Sequence, residues 1–161
     1  IKELKLASGS TVEQSVEELS GVIGEKIELA DAKVIKAEED EKIGSYIHSN
    51  NKIGVVVAAK NTDDDFIKQL CMHIAASGPV HISKDDIPVE ELDKEREILR
   101  EQVLNEGKPE KIVDKIVEGK LRKFYEEVCL LEQKFVIDPE KYVSEVMGDA
   151  VVSKFVRFSI G

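Results

Sequence analysis

The sequence predicts an α+β fold: an antiparallel sheet with packed helices and an inserted antiparallel helical hairpin. Residues 53–59 form a β-branched run that is too short for a helix and apolar enough for a central strand. Residues 66–74 repeat apolar side chains at helical spacing, and Gly78-Pro79 follows as a stop. Two further helical patterns flank Gly107-Lys108-Pro109, and helices joined by so short a turn must lie antiparallel.

The first predicted element is an amphipathic helix over residues 11–24, packed on a core. Thr11 and Gln14 have the spacing of a capping box, and Gly24 stands where the apolar pattern ends. From residue 27 to residue 60 we expect an antiparallel meander of three strands. These strands are placed at 26–37, 43–48 and 53–59, with turn-forming residues at 49–52.

A second core helix is expected to begin at the capping residues 62–65 and to end at Gly78. The helical hairpin, residues 88–127, comes next. Its first helix carries a narrow apolar stripe in a highly charged segment, which favours a protruding hairpin over a core helix. The chain then returns to a strand at 135–137, a short helix at 141–147 and a strand at 151–160.

Composition excludes several classes of function. The 161 residues suit about one domain. Lys and Arg number 23 against 33 Asp and Glu, and this net charge of −10 disfavours a direct nucleic-acid partner. No apolar run approaches the ~20 residues of a membrane span, so no membrane partner is expected.

Cys71 and Cys129 fit two thiols in reducing surroundings. The opening residues have neither Met nor a signal peptide, as expected for the inside of a longer chain.

No motif of nucleophilic catalysis, nucleotide binding or metal binding occurs in the sequence. We therefore expect no catalytic, cofactor-binding or metal-binding residues, and a protein that is not an enzyme. His73 lies about 90° from the centre of its helix's apolar stripe on a wheel of ~100° per residue. It is placed at the border of core and solvent, as a core-edge imidazole or as a partner contact.

Several short strings occur together in a specific order. They are IGEKI at 23–27, GSYIH at 44–48, KIGVVV at 52–57, MHIAAS at 72–77, GKP at 107–109, IVEGK at 116–120, FV at 135–136 and VRF at 156–158. With them the chain closely resembles the elongation factor Ts family over essentially its whole length. The resemblance implies a guanine-nucleotide exchange factor that promotes GDP release from elongation factor Tu during protein synthesis. It also implies a cytoplasmic protein of the bacterial type.

The resemblance also implies site residues. The positions matching Ile53, Gly54, His73, Val136 and Ile137 contact elongation factor Tu in the family. A physical argument also favours a contact at Gly54, because a strand end without a Cβ lets another backbone approach closely. The hairpin serves dimerisation in the family, so a homodimer is a further expected partner. Its apolar residues Leu92, Leu99, Val103, Ile112 and Ile116 are the expected dimerisation residues.

Family members also carry a Thr-Asp-Phe segment, whose Phe wedges into the nucleotide-binding domain of the partner. The 161 residues contain no such segment. We therefore expect residues 1–26 to be a remnant of a first half-core. Residues 27–87 and 128–161 form the second half-core, with the coiled-coil hairpin 88–127 inserted. Two functions stay open: an exchange factor that docks on elongation factor Tu, or a non-exchanging dimerisation and interaction module.

Overall fold

The computed structural model describes residues 1–160. The chain divides into two compact units, Ile1–Val34 and Ile35–Gly161. The described part contains helices and a three-stranded antiparallel sheet, so the predicted α+β class is confirmed. None of the described helices combines the length and the apolar character needed to cross a membrane.

The first unit holds one helix, α1 (Val12–Ile23). The predicted capping box is present: Thr11 Oγ1 accepts from the Gln14 backbone N–H at 3.2 Å, and the Gln14 side chain accepts from the Thr11 N–H at 2.9 Å. Gly24 ends the helix with a φ of 77°, a conformation that glycine adopts without steric cost. The expectation that α1 packs on a core is wrong for the described residues. No residue of α1 is buried, and Val22 is 85% exposed.

No strand forms over residues 26–37, so the expected sequential meander is wrong. The apolar residues of this segment alternate only in short stretches, at 27–29, 30–34 and 35–37, and the phase changes between them. No single apolar face therefore runs along the segment for a sheet to bury. The third strand of the sheet comes instead from the far end of the chain. The sheet contains β1 (Glu41–Ile47), β2 (Ile53–Lys60) and β3 (Val151–Ser159), in the order β1-β2-β3.

The central strand β2 pairs antiparallel with both neighbours. Val57 lies between Gly44 and Phe155 in the register, and Gly54 lies between Ile47 and Phe158. A bulge in the pairing with β3 occurs between Ala58 and Ala59.

Helix α2 (Asp64–Ser77) covers one face of this sheet. The Asp63 side chain caps it by accepting from the Phe66 N–H at 2.7 Å, and Gly78 ends it with a φ of 62°. The main core lies between α2, β2 and the segment after the hairpin. Its buried members are Val55, Val57, Ala59, Ile67, Leu70, Cys71, Ile74, Ala75, Leu130, Phe135, Val143 and Val152.

The hairpin consists of α3 (Val89–Asn105) and α4 (Glu110–Val128), joined by a four-residue turn in which Gly107 has a φ of 72°. The two helices pack on each other through a seam of their own: Leu99, Val103, Val113, Val117 and Leu121. Arg100 and Asp114 form an ion pair across the pair of helices. The hairpin thus has a core that shares no residue with the sheet and α2.

After the hairpin the chain makes a short 3₁₀ turn, Leu130–Glu132, and a one-turn helix, α5 (Val143–Val146). The strand expected at 135–137 is absent. Residues 134 and 142 form one isolated bridge around a tight loop, and the Val136 N–H bonds to a side chain instead of a strand. The apolar run Phe135-Val136-Ile137 is therefore split: Phe135 is buried, and the two residues after it are exposed.

Candidate protein-binding site

The most polar place in the core lies where α2 meets the loop 133–137. His73 in α2 and Gln133 in the loop are 0% and 5% exposed, and they are the buried polar side chains found among residues 1–160. His73 Nε2 lies 3.0 Å from Gln133 Oε1, and the Gln133 amide Nε2 donates to the Glu127 carbonyl at 2.9 Å. A buried polar side chain needs such partners, because losing its hydration without replacement is costly.

The second nitrogen of the His73 ring is also used. The backbone N–H of Val136 donates to His73 Nδ1 over 3.3 Å. Since a backbone amide can only donate here, Nδ1 is the acceptor and the ring proton sits on Nε2, facing Gln133. Burial lowers the pKa of His73 below its ordinary 6.5, and the hydrogen bond to Gln133 acts in the opposite direction. The ring is therefore neutral near pH 7.

His73 was expected at the border of core and solvent, and that placement is wrong. Its ring packs against Phe135 with the ring centroids 5.6 Å apart, and it is fully covered. The loop that covers it lies about sixty residues along the chain, so the helical wheel contained no sign of it. Gln133 was missed for the same reason, because an isolated Gln in a polar segment carries no local signal of burial.

Val136 and Ile137 follow directly after the buried Phe135 and are 42% and 49% exposed. The loop is held on both sides: the Phe135 N–H donates to the Lys141 carbonyl at 2.9 Å, and the Asp138 N–H donates to the Phe135 carbonyl at 3.1 Å. Val136 and Ile137 are thus two adjacent apolar side chains exposed on a backbone that hydrogen bonds hold in place.

Ile53 and Gly54 are the first two residues of β2, the central strand of the sheet. Ile53 is partly buried against the main core on the α2 side. Gly54 alternates to the opposite face, between the exposed Ile47 and Phe158, so it does not share a face with Ile53. A Cβ placed on Gly54 would meet no atom within 4 Å, so nothing in the chain itself requires glycine there.

Arg157 shows which end of α2 these residues occupy. It is the register partner of Val55, and its Nε and one terminal guanidinium nitrogen donate to the Ala75 carbonyl, each at 3.3 Å. The start of β2 therefore lies beside the C-terminal half of α2, which is also where His73 holds Val136. The structure thus brings His73 and Val136 into contact, and places Ile53 and Gly54 at the same end of the core.

Four of the five residues expected to mediate dimerisation contribute to the seam between α3 and α4, and the fifth is exposed. Leu99 and Val103 are buried in the seam between α3 and α4, and Leu92 and Ile116 are partly buried against it. Ile112 is 42% exposed. The apolar residues expected to mediate dimerisation thus pack largely within the hairpin itself.

Cys71 and Cys129 are both free and buried, and burial raises the pKa of each thiol to about 11. In residues 1–160 no cluster of three or more His, Cys, Asp and Glu side chains could hold a metal ion. A cavity of about 610 Å³ lies within the first unit, beside α1 and residues 26–30, and none of the candidate residues lines it.

Comparison with known proteins identifies the family. A family model described as Elongation factor TS matches residues 1–161. The chain is 43% identical over 164 residues to an elongation factor Ts from Mycoplasmoides gallisepticum, covering all of this chain and 56% of that relative. It is 41% identical over 189 residues to an elongation factor Ts from Acetivibrio thermocellus, covering all of this chain and 88% of that relative. The chain belongs to the elongation factor Ts family.

Proposed function

We propose that this chain binds elongation factor Tu and contributes to the release of GDP from it during protein synthesis in the cytoplasm. The observation that carries the proposal is the family match, which extends over the whole chain. The net charge of −10 fits a protein partner better than a nucleic acid.

The proposed docking surface is the end of the core where α2 finishes. Val136 and Ile137 supply an exposed apolar pair there, and Ile53 and Gly54 supply the beginning of the central strand. Apolar side chains on a held backbone lose little freedom on binding, so they make efficient anchors. His73 lies beneath this surface and has no exposed atoms of its own.

The proposed mechanism is differential binding rather than covalent catalysis. GDP on a P-loop protein is held by backbone amides, a lysine and Mg²⁺. A factor that prefers the nucleotide-free form must weaken GDP binding by the same coupling factor. A ten-thousandfold effect requires about 5.5 kcal/mol of difference in affinity between the two states. The 161 residues contain no Thr-Asp-Phe wedge, so we infer that they supply docking and little of that difference.

Binding to elongation factor Tu can be measured by calorimetry with a matched pair of charge variants. We expect Ile137→Asp to weaken binding, because it puts a charge into the proposed apolar contact. Val89→Asp, at a position 73% exposed on α3, should bind like the original chain. Gly54→Leu should also weaken binding without changing thermal unfolding. Equal binding by all four chains would contradict the proposed surface, and no binding by the original chain would contradict the proposed function.

A second proposed function is self-association through the hairpin. The observation that favours it is the set of apolar side chains left outside the seam: Ile98, Leu104 and Ile112 are each between 40% and 43% exposed. Because Leu99 and Val103 are buried within the hairpin, a homodimer would use these outer residues.

A further inference from the structure

The buried side chain of His73 uses one of its two ring nitrogens to hold the backbone of an exposed loop. An apolar side chain would fill the same space without needing hydrogen-bond partners. His73 instead accepts from the Val136 N–H, whose own residue and the next one carry the exposed apolar pair. The bond therefore fixes the backbone from which the proposed docking side chains project.

The hydrogen bonds of Gln133 determine which nitrogen of the His73 ring carries the proton. Its amide nitrogen donates to the Glu127 carbonyl in the last turn of α4, which leaves its Oε1 to accept from His73 Nε2. That bond keeps the ring proton on Nε2 and leaves Nδ1 free to accept from Val136. The Gln133 carbonyl also accepts from the Val143 N–H at 2.9 Å, so Gln133 is itself fixed from two sides.

We propose that His73 is a positioning residue for docking: it holds the backbone of Val136 so that Val136 and Ile137 face the partner. This inference rests on the proposed function.

Two variants of similar size separate positioning from simple core packing. In His73→Asn the side-chain oxygen takes the place of Nδ1 and can still accept from the Val136 N–H. In His73→Gln the amide nitrogen takes the place of Nε2 and can still donate to Gln133, but the acceptor for Val136 is lost. Both variants shorten or reshape the buried ring, so both lose packing.

Each variant is measured by urea unfolding, by amide hydrogen exchange at Val136 in the free chain, and by calorimetric binding to elongation factor Tu. We expect His73→Asn to keep the protection of the Val136 amide and to bind close to the original affinity. For His73→Gln we expect about tenfold faster exchange at Val136 and about tenfold weaker binding, the effect of losing one such hydrogen bond.

The inference is overturned if His73→Gln binds as tightly as the original chain, or if both variants lose affinity equally in proportion to their stability. Ile137→Asp separates a failure of positioning by His73 from a failure of the docking surface. If Ile137→Asp weakens binding and His73→Gln does not, positioning fails and the docking surface stands. If the original chain does not bind, the proposed function fails and this inference fails with it.

Discussion

Ile67 in α2 occupies the space that a side chain on Gly44 in β1 would need. A Cβ placed on Gly44 would lie 2.7 Å from Ile67 Cγ1 and 3.1 Å from Ile67 Cγ2. Ile67 is 3% exposed and packed in the main core, so it has little room to move. The close packing of α2 on β1 therefore depends on glycine at position 44.

Replacing Gly44 with Ala should destabilise the fold by about 1–3 kcal/mol, because it overpacks a filled core. Gly54→Ala is the matched control in the neighbouring strand, where the added Cβ meets nothing within 4 Å. We expect it to change the free energy of unfolding by no more than about 0.5 kcal/mol. Urea unfolding of the two variants tests this contrast, and equal stability would show that α2 does not pack as closely as described.

Removing the hairpin should leave the sheet and α2 folded, since the two apolar clusters share no residue. Residues 88–127 are replaced with a short Gly-Ser linker, and the variant should still unfold cooperatively in urea. If the proposed self-association is correct, sedimentation should show a monomer for the variant and a dimer for the intact chain. A variant that remains the same oligomer as the intact chain would contradict the role proposed for the hairpin.

Both thiols should react slowly in the native protein. Burial raises the pKa of Cys71 and Cys129 to about 11, so near pH 8 only about one thiol in a thousand is ionised. We expect reaction with Ellman's reagent to be at least ~100-fold slower in the native chain than in urea. Rapid reaction of either thiol without denaturant would show that its surroundings are open to solvent.

His73 should make native stability depend on pH in one direction. Its pKa is lowered in the native state, so between about pH 6.5 and that lower pKa the unfolded chain binds the proton and the native chain does not. Stability is therefore complete above about pH 6.5 and falls as the pH falls.

The His73→Asn variant isolates this effect from the other titrating groups. Urea midpoints are compared at about pH 7.5 and about pH 5.5, above the range where most carboxylates titrate. The original chain should lose more stability than His73→Asn over this interval. Equal losses would mean that His73 is protonated as easily in the native chain as in the unfolded one.

Local signals in the sequence predicted local structure well. The capping box of Thr11 and Gln14, the caps of α2 and the turn at Gly107 depend on residues within one or two helical turns. The β-branched run also predicted β2, because its composition alone suits a buried strand.

The features that build the candidate site depend on contacts between distant parts of the chain. Ile53 pairs with Ser159, and His73 bonds to Gln133 and Val136, so no periodicity in either segment could reveal the partner. The resemblance to a family pointed to His73 and Val136, but their hydrogen bond and the burial of His73 required the structure. No strand forms at 135–137, and the Val136 amide bonds to that imidazole instead of to a neighbouring strand.

The rate of GDP release from elongation factor Tu tests the central proposal most directly. A fluorescent GDP is loaded on elongation factor Tu, and its release is followed by stopped flow with this chain or with a family member that carries the Thr-Asp-Phe segment, each at saturation. Docking that favours both nucleotide states equally shifts no equilibrium, so we expect calorimetric binding with only a small increase in the release rate. Release as fast as with the wedge-bearing factor would contradict the division between docking and wedge, and the absence of any binding would contradict the proposed function.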